Sequence, residues 1–131
     1  MLQTTAQNVY KQNQFGTAAP EELTLMLYEG ALKFIKRAKQ AIEVKDYNQA
    51  HAMNMRVQDI LDELIITLDR SYPVAEQMLL LYEYMKRRLI EANVKKDKAV
   101  TEEVEEFFIE FRNTWKQAMI ISRSQKNKGV E

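Results

Sequence analysis

The chain contains no cysteine, so disulfide frameworks, thiolate zinc sites and cysteine nucleophiles are excluded together. That fits a reducing compartment. Only three Gly and two Pro occur, too few for the turns of a many-stranded β fold, and this favours long helices. Neither sign of charge predominates: nineteen basic residues balance nineteen acidic ones, leaving no overall positive field to concentrate nucleic acid or an anionic membrane. No apolar run approaches the roughly 18 to 20 residues that a membrane-spanning helix needs. The N-terminal stretch has Gln, Thr and Asn where a signal peptide needs a basic start and an apolar run. These absences predict a cytoplasmic protein that inserts into no membrane.

What is present reads as helix. The 131 residues suffice for one domain. Pro20 followed by Glu21 and Glu22 sets a Pro and two carboxylates in a first helical turn. From there Leu23, Leu27, Ala31, Phe34, Ala38 and Ala41 recur every three or four residues, so a helix runs to about Lys45. Tyr28, Leu32 and Ile35 fall on an adjoining side, and this helix must touch several neighbours. Asp46 caps a second helix with the stripe Ala50, Met53, Val57, Leu61, Leu64 and Leu68. Pro73 opens a third, with Val74, Met78, Leu81, Tyr82, Met85, Leu89 and Ala92. Asp97 caps a fourth, whose stripe is Val100, Val104, Phe107, Phe108, Phe111, Trp115 and Ala118.

Four helices of similar length with short connections predict an all-α fold, an antiparallel up-down-up-down four-helix bundle. The expected parts are an N-terminal segment over 1–19, mobile or packed on the bundle as a short helix, the bundle over 20–123, and a flexible tail over 124–131.

No catalytic or metal-ligating constellation emerges. A di-iron bundle needs Glu-x-x-His pairs, and the single histidine, His51, belongs to none. Ser71, Ser122 and Ser124 sit at predicted helix ends without a partnered base. Gly16, Gly30 and Gly129 are isolated and make no phosphate cradle; Gly30 reads as a close-packing point. The acids from Glu102 to Glu106 suit the positive end of a helix dipole without any metal role. The chain is therefore read as a protein with no cofactor and no enzymatic turnover.

The informative feature is a surplus of apolar residues. Met26, Met55, Ile66, Leu79, Ile90, Ile109 and Ile121 all lie off the principal stripes. A monomeric bundle leaves part of that surface wet, which suits helix-in-groove binding. Met26, Met55, Ile66, Leu79 and Ile109 are the candidate groove residues.

Four stretches carry a family resemblance: NVYKQN (8–13), PEELTLMLYEGALKFIK (20–36), LYEYMKRRLIEAN (81–93) and EEVEEFFIEFRNTWKQAM (102–119). The chain resembles the FliS family of flagellar secretion chaperones over nearly its whole length. The resemblance implies that the bundle is wrapped by the disordered C-terminal segment of newly made flagellin, which prevents premature polymerisation. It further implies delivery of that client to the export gate of the flagellar type III apparatus. Val9, Tyr10 and Asn13, in the N-terminal match, become the candidate gate-docking residues, and the same segment can cover the bundle's own groove in the free protein. Two departures stand out. Ala19 replaces the Ser or Thr that often caps the first helix, and Tyr47 to Leu68 match in pattern more than in identity. The alternative is a helical-bundle regulatory or adaptor protein that buries the surplus face against a second copy as a weak homodimer.

Overall fold

The computed structural model describes residues 19–130, with side chains through residue 126. Val9, Tyr10, Asn13 and the remainder of the expected N-terminal segment lie outside the described residues. Among the described residues there are four helices and no strand: α1 (Pro20–Glu43), α2 (Tyr47–Ile66), α3 (Ala75–Lys95) and α4 (Lys98–Val130).

Each boundary has a local cause. Asp46 caps α2 by accepting from the Gln49 N–H through Oδ1. Asp97 does the same for α4 through the Ala99 and Val100 N–H groups. The residue before each cap, Lys45 or Lys96, takes a left-handed conformation with φ of 61° and 51°. The two similar Lys-Asp helix starts are thus one turn used twice. Ala19 offers no side-chain cap to α1, as its sequence implies.

Three boundaries differ from expectation. α2 stops at Ile66 because the Thr67 hydroxyl turns back to the Glu63 carbonyl and Asp69 gathers the Ser71 N–H and hydroxyl into a turn. Pro73, expected to open the third helix, and Val74, which is 56% exposed, consequently sit outside α3, and Ala75 takes the buried position. α4 continues to Val130, well past Arg123, and Ala118 on it is exposed.

The helices close into a ring in chain order: α1 packs on α2 and α4, and α3 packs on α2 and α4. Pairings such as Tyr28 with Trp115 and Lys39 with Glu105 run in opposite senses along α1 and α4, so these neighbours are antiparallel. The up-down-up-down bundle is therefore as expected. Its core takes Leu27, Tyr28, Ala31 and Ile35 from α1, and Val57, Leu61 and Leu64 from α2. Tyr82, Met85 and Leu89 come from α3, and Val104 and Phe108 from α4. Trp115 lies at the edge of this core, half-buried against Tyr28, with its indole N–H donating to the Glu21 carbonyl at 2.7 Å.

Gly30 faces Ile60 across the α1–α2 seam, where an added Cβ would meet Ile60 Cδ1 at 3.6 Å, an ordinary contact. The close approach is real but leaves room for a methyl group. Gly30→Ala should therefore raise stability by about 0.5 to 1 kcal/mol by restricting the unfolded chain. A lower melting temperature for this variant would show that the seam has no such room.

Candidate functional site

The five groove candidates do not gather on one surface. Met26 lies one turn before Gly30, at the outer edge of the α1–α2 seam. Ile109 lies one turn after Glu105, which bonds Lys39 of α1, so it borders the α1–α4 seam. Both are half-buried. Met55, Ile66 and Leu79 share the outside of the α2–α3 seam, with Ile66 and Leu79 toward one end of it and Met55 toward the other.

Two polar contacts fix how α2 and α3 lie against each other. The Asn54 side-chain amide donates to the Leu89 carbonyl at 3.0 Å, and the Asn93 amide donates to His51 Nδ1 at 2.9 Å. In an antiparallel pair this register sets Met55 level with about Ile90, and Ile66 level with about Leu79. The Lys86 ammonium then bridges the seam between these levels, donating to Asp62 Oδ1 at 2.6 Å.

The outer edge of α2 carries Met55, Asp59, Asp62 and Ile66, spaced by four, three and four residues. α3 repeats that spacing with Leu79, Glu83, Lys86 and Ile90. Positions so spaced share one face of a helix. Each stripe is thus apolar at both ends and charged in the middle. Ile66 is 77% exposed, Ile90 is also exposed, and Met55 and Leu79 are half-buried. Ile90 was among the surplus residues but outside the five candidates, and its spacing from Leu79 is the signal that joins it to them.

Beneath this furrow the seam is polar as well. Gln58 donates to Asn54 Oδ1 at 2.7 Å, and both residues are buried. Neither was anticipated, because Asn and Gln interrupt an apolar stripe instead of extending it. Among the described residues no buried side-chain polar atom lacks a partner, so this ladder carries no desolvation penalty from an orphaned group.

The α3–α4 seam is closed by a denser charge cluster. Arg88 reaches Glu103 through Nε and Nη2 and Glu91 through Nη1, and the Tyr84 hydroxyl donates to Glu103 at 2.5 Å. The Arg88 guanidinium and then the Tyr84 hydroxyl hold the Glu103 carboxyl below the usual carboxylate range. These groups are satisfied by one another and act as a clamp. His51 is exposed, and no group of three or more His, Cys, Asp or Glu among the described residues could hold a metal. No described helix is long and apolar enough to cross a membrane.

Comparison with known proteins gives a consistent result. Residues 1–122 match the family described as "Flagellar protein FliS". The flagellar secretion chaperone FliS of Bacillus subtilis is 44% identical over 118 residues, covering 90% of this chain and 89% of the relative. The protein of that name from Salmonella typhimurium is 33% identical over 104 residues, 77% of each chain. That from Escherichia coli is 28% identical over 109 residues, 79% of each.

Proposed function

Since the chain belongs to the FliS family of flagellar secretion chaperones, we propose that it binds the C-terminal segment of flagellin in the cytoplasm. There it keeps the segment from premature polymerisation and delivers it to the export gate. The observation that carries this reading is the α2–α3 furrow, where Ile66 and Ile90 are exposed and the half-buried Met55 and Leu79 add apolar surface that the bundle covers only in part. A disordered client folds as it binds such a surface, and burial of aliphatic side chains drives the exchange. Turnover chemistry has no part in this scheme. The protein's work is to hold and hand over.

The direct test is flagellin affinity of the Ile66→Ser/Leu79→Ser variant. Both side chains lie at the bundle surface or its edge, so the fold should survive. Removal of two apolar anchors should weaken binding by about 2 to 4 kcal/mol. Undiminished affinity in a folded variant would remove the furrow from the client site.

Val9, Tyr10 and Asn13 are proposed to dock the loaded complex at the gate. A Tyr offers a large contact area and one hydrogen bond at low entropic cost. Tyr10→Ala should leave flagellin affinity nearly intact and weaken gate binding by about 2 kcal/mol or more, with secretion and motility falling. Flagellin and gate affinities measured separately on that variant distinguish gate docking from a client role.

A further inference from the structure

The outward side of α3 carries a stripe that no other described helix covers. Glu76, Leu80, Glu83, Arg87, Ile90 and Val94 recur every three or four residues, and all six are exposed, Leu80 by 64% and Val94 by 79%. Leu80 and Ile90 stand ten residues apart, about 15 Å along the axis, and enclose one acid and one base. Among the described residues Glu83 has no ion pair or side-chain hydrogen bond, and Arg87 has only the Tyr84 ring, 5.9 Å from its guanidinium carbon to the ring centroid. Asp62 and Lys86, already paired with each other, lie off this stripe and take no part. In chain order the stripe runs apolar, acidic, basic, apolar, and turned end for end it presents apolar, basic, acidic, apolar.

We infer that this stripe is a self-association surface: α3 of one copy packs antiparallel on α3 of a second copy, with Leu80 against Ile90 and Glu83 against Arg87. A two-fold axis makes each of these pairings occur twice. Charge decides both direction and register. A parallel pair would set Glu83 on Glu83 and Arg87 on Arg87. Sliding the antiparallel pair to bring Leu80 onto Val94 would bury more aliphatic surface but oppose the two Arg87 guanidinium groups. In the favoured register Val94 packs on the methylene stem of Glu76, whose carboxylate turns to Arg70 at 3.9 Å. One acid and one base within a turn offer no net field to nucleic acid or to an anionic lipid surface. A single pair of helices buries less than the roughly 1,200 Å² at the lower end of stable interfaces, so the dimer is weak, with a dissociation constant on the order of 0.1 mM. The pairing also covers Ile90, one apolar end of the α3 stripe beside the furrow, and is independent of which client that furrow takes.

The test is sedimentation of the full chain from about 10 μM to about 1 mM, a range that brackets that constant. The mean mass should rise from one chain toward two across the range, and added salt should oppose the rise. Glu83→Lys leaves only bases between Leu80 and Ile90, and Arg87→Glu leaves only acids. Each should weaken association by about tenfold or more, because like charges then meet. Mixed in equal amounts, the two variants should associate more tightly than the unsubstituted chain, since every charge contact between copies is then attractive. Glu83→Lys/Arg87→Glu exchanges the two signs and should associate as the unsubstituted chain does. All of these side chains are exposed, so the fold should survive in each variant.

A mass of one chain throughout the range would overturn the inference. So would association that neither single variant weakens, or an equimolar mixture of the two that fails to associate. If Ile66→Ser/Leu79→Ser abolishes association and Glu83→Lys leaves it intact, the contact between copies lies in the furrow and the α3 pairing is wrong. If the unsubstituted chain stays a monomer while Glu83→Lys lowers flagellin affinity, the stripe belongs to the client and not to a second copy.

Discussion

Phe108→Ala should lower the unfolding free energy by about 3 to 5 kcal/mol, the range for deleting a fully buried aromatic side chain. Phe108 is 0% exposed, and its ring lies 6.4 Å from that of Tyr28 across the α1–α4 seam. The bundle closes as a ring of four helices, so no single neighbour can move in to fill the space without disturbing another seam. Small domains are typically stable by only about 5 to 15 kcal/mol, so the variant should be marginal or unfolded at 37 °C. Any loss of flagellin binding by it would be indirect. The adjacent Phe107 is half-buried at the seam edge, against Tyr84. Phe107→Ala should cost clearly less, because its ring already borders solvent. Denaturant midpoints for the two variants check the ranking, and equal losses would show that the core is not centred where the structure has it.

The second large effect concerns a hydrogen bond between diagonal helices. The Tyr28 and Tyr82 hydroxyls meet at 2.5 Å in the centre of the bundle, although α1 and α3 do not pack on each other directly. Phe111 lies against both rings, at centroid distances of 5.5 and 5.2 Å. Tyr28→Phe strands the Tyr82 hydroxyl without its partner, and an orphaned buried hydroxyl costs about 1 to 3 kcal/mol. Tyr28→Phe/Tyr82→Phe removes both polar atoms and should restore much of that loss. The coupling in a double-mutant cycle measures the bond, and simple additivity of the two single losses would show that it contributes nothing.

The same pair predicts an alkaline limit. Burial raises the Tyr28 hydroxyl far above its ordinary value and pushes that of Tyr82 up to about 12. In the unfolded chain both ionise near the ordinary tyrosine value of about 10. A raised folded value means that this contribution is fully present below about pH 10 and is lost as pH climbs toward the folded value. Stability should fall above about pH 10, and the fall should be smaller in the double Phe variant. Identical alkaline profiles for the two proteins would contradict the burial of these hydroxyls.

Much of the fold was legible from local pattern. The stripe from Leu27 to Ala41 and the caps at Asp46 and Asp97 each depend on neighbours within about one or two turns, and the structure has all of them, whereas Pro73, expected to open the third helix, stands before it because α3 begins at Ala75. Errors came where local turn chemistry, helix rotation or a tertiary partner overrode the period. Val74 fits the stripe of α3 but is displaced by the turn built on Asp69, and Ala118 fits that of α4 but is exposed. Asn54 and Gln58 are buried against their residue type because the Leu89 carbonyl lies where Asn54 can reach it.

For the candidate site the division is sharper. Sequence alone determined that four amphipathic helices must share one core and that their apolar residues exceed what that core absorbs, since both follow from periodicity and composition. It equally determined the spacing of Met55, Asp59, Asp62 and Ile66, and of Leu79, Glu83, Lys86 and Ile90. Only the tertiary structure decided that these two stripes border one furrow, while Met26 and Ile109 border other seams. The reason is physical: spacing sets the angle of a side chain about its own helix. Whether two such faces meet depends on the rotation and register of separate helices, and here contacts such as Asn54 with Leu89 set that register.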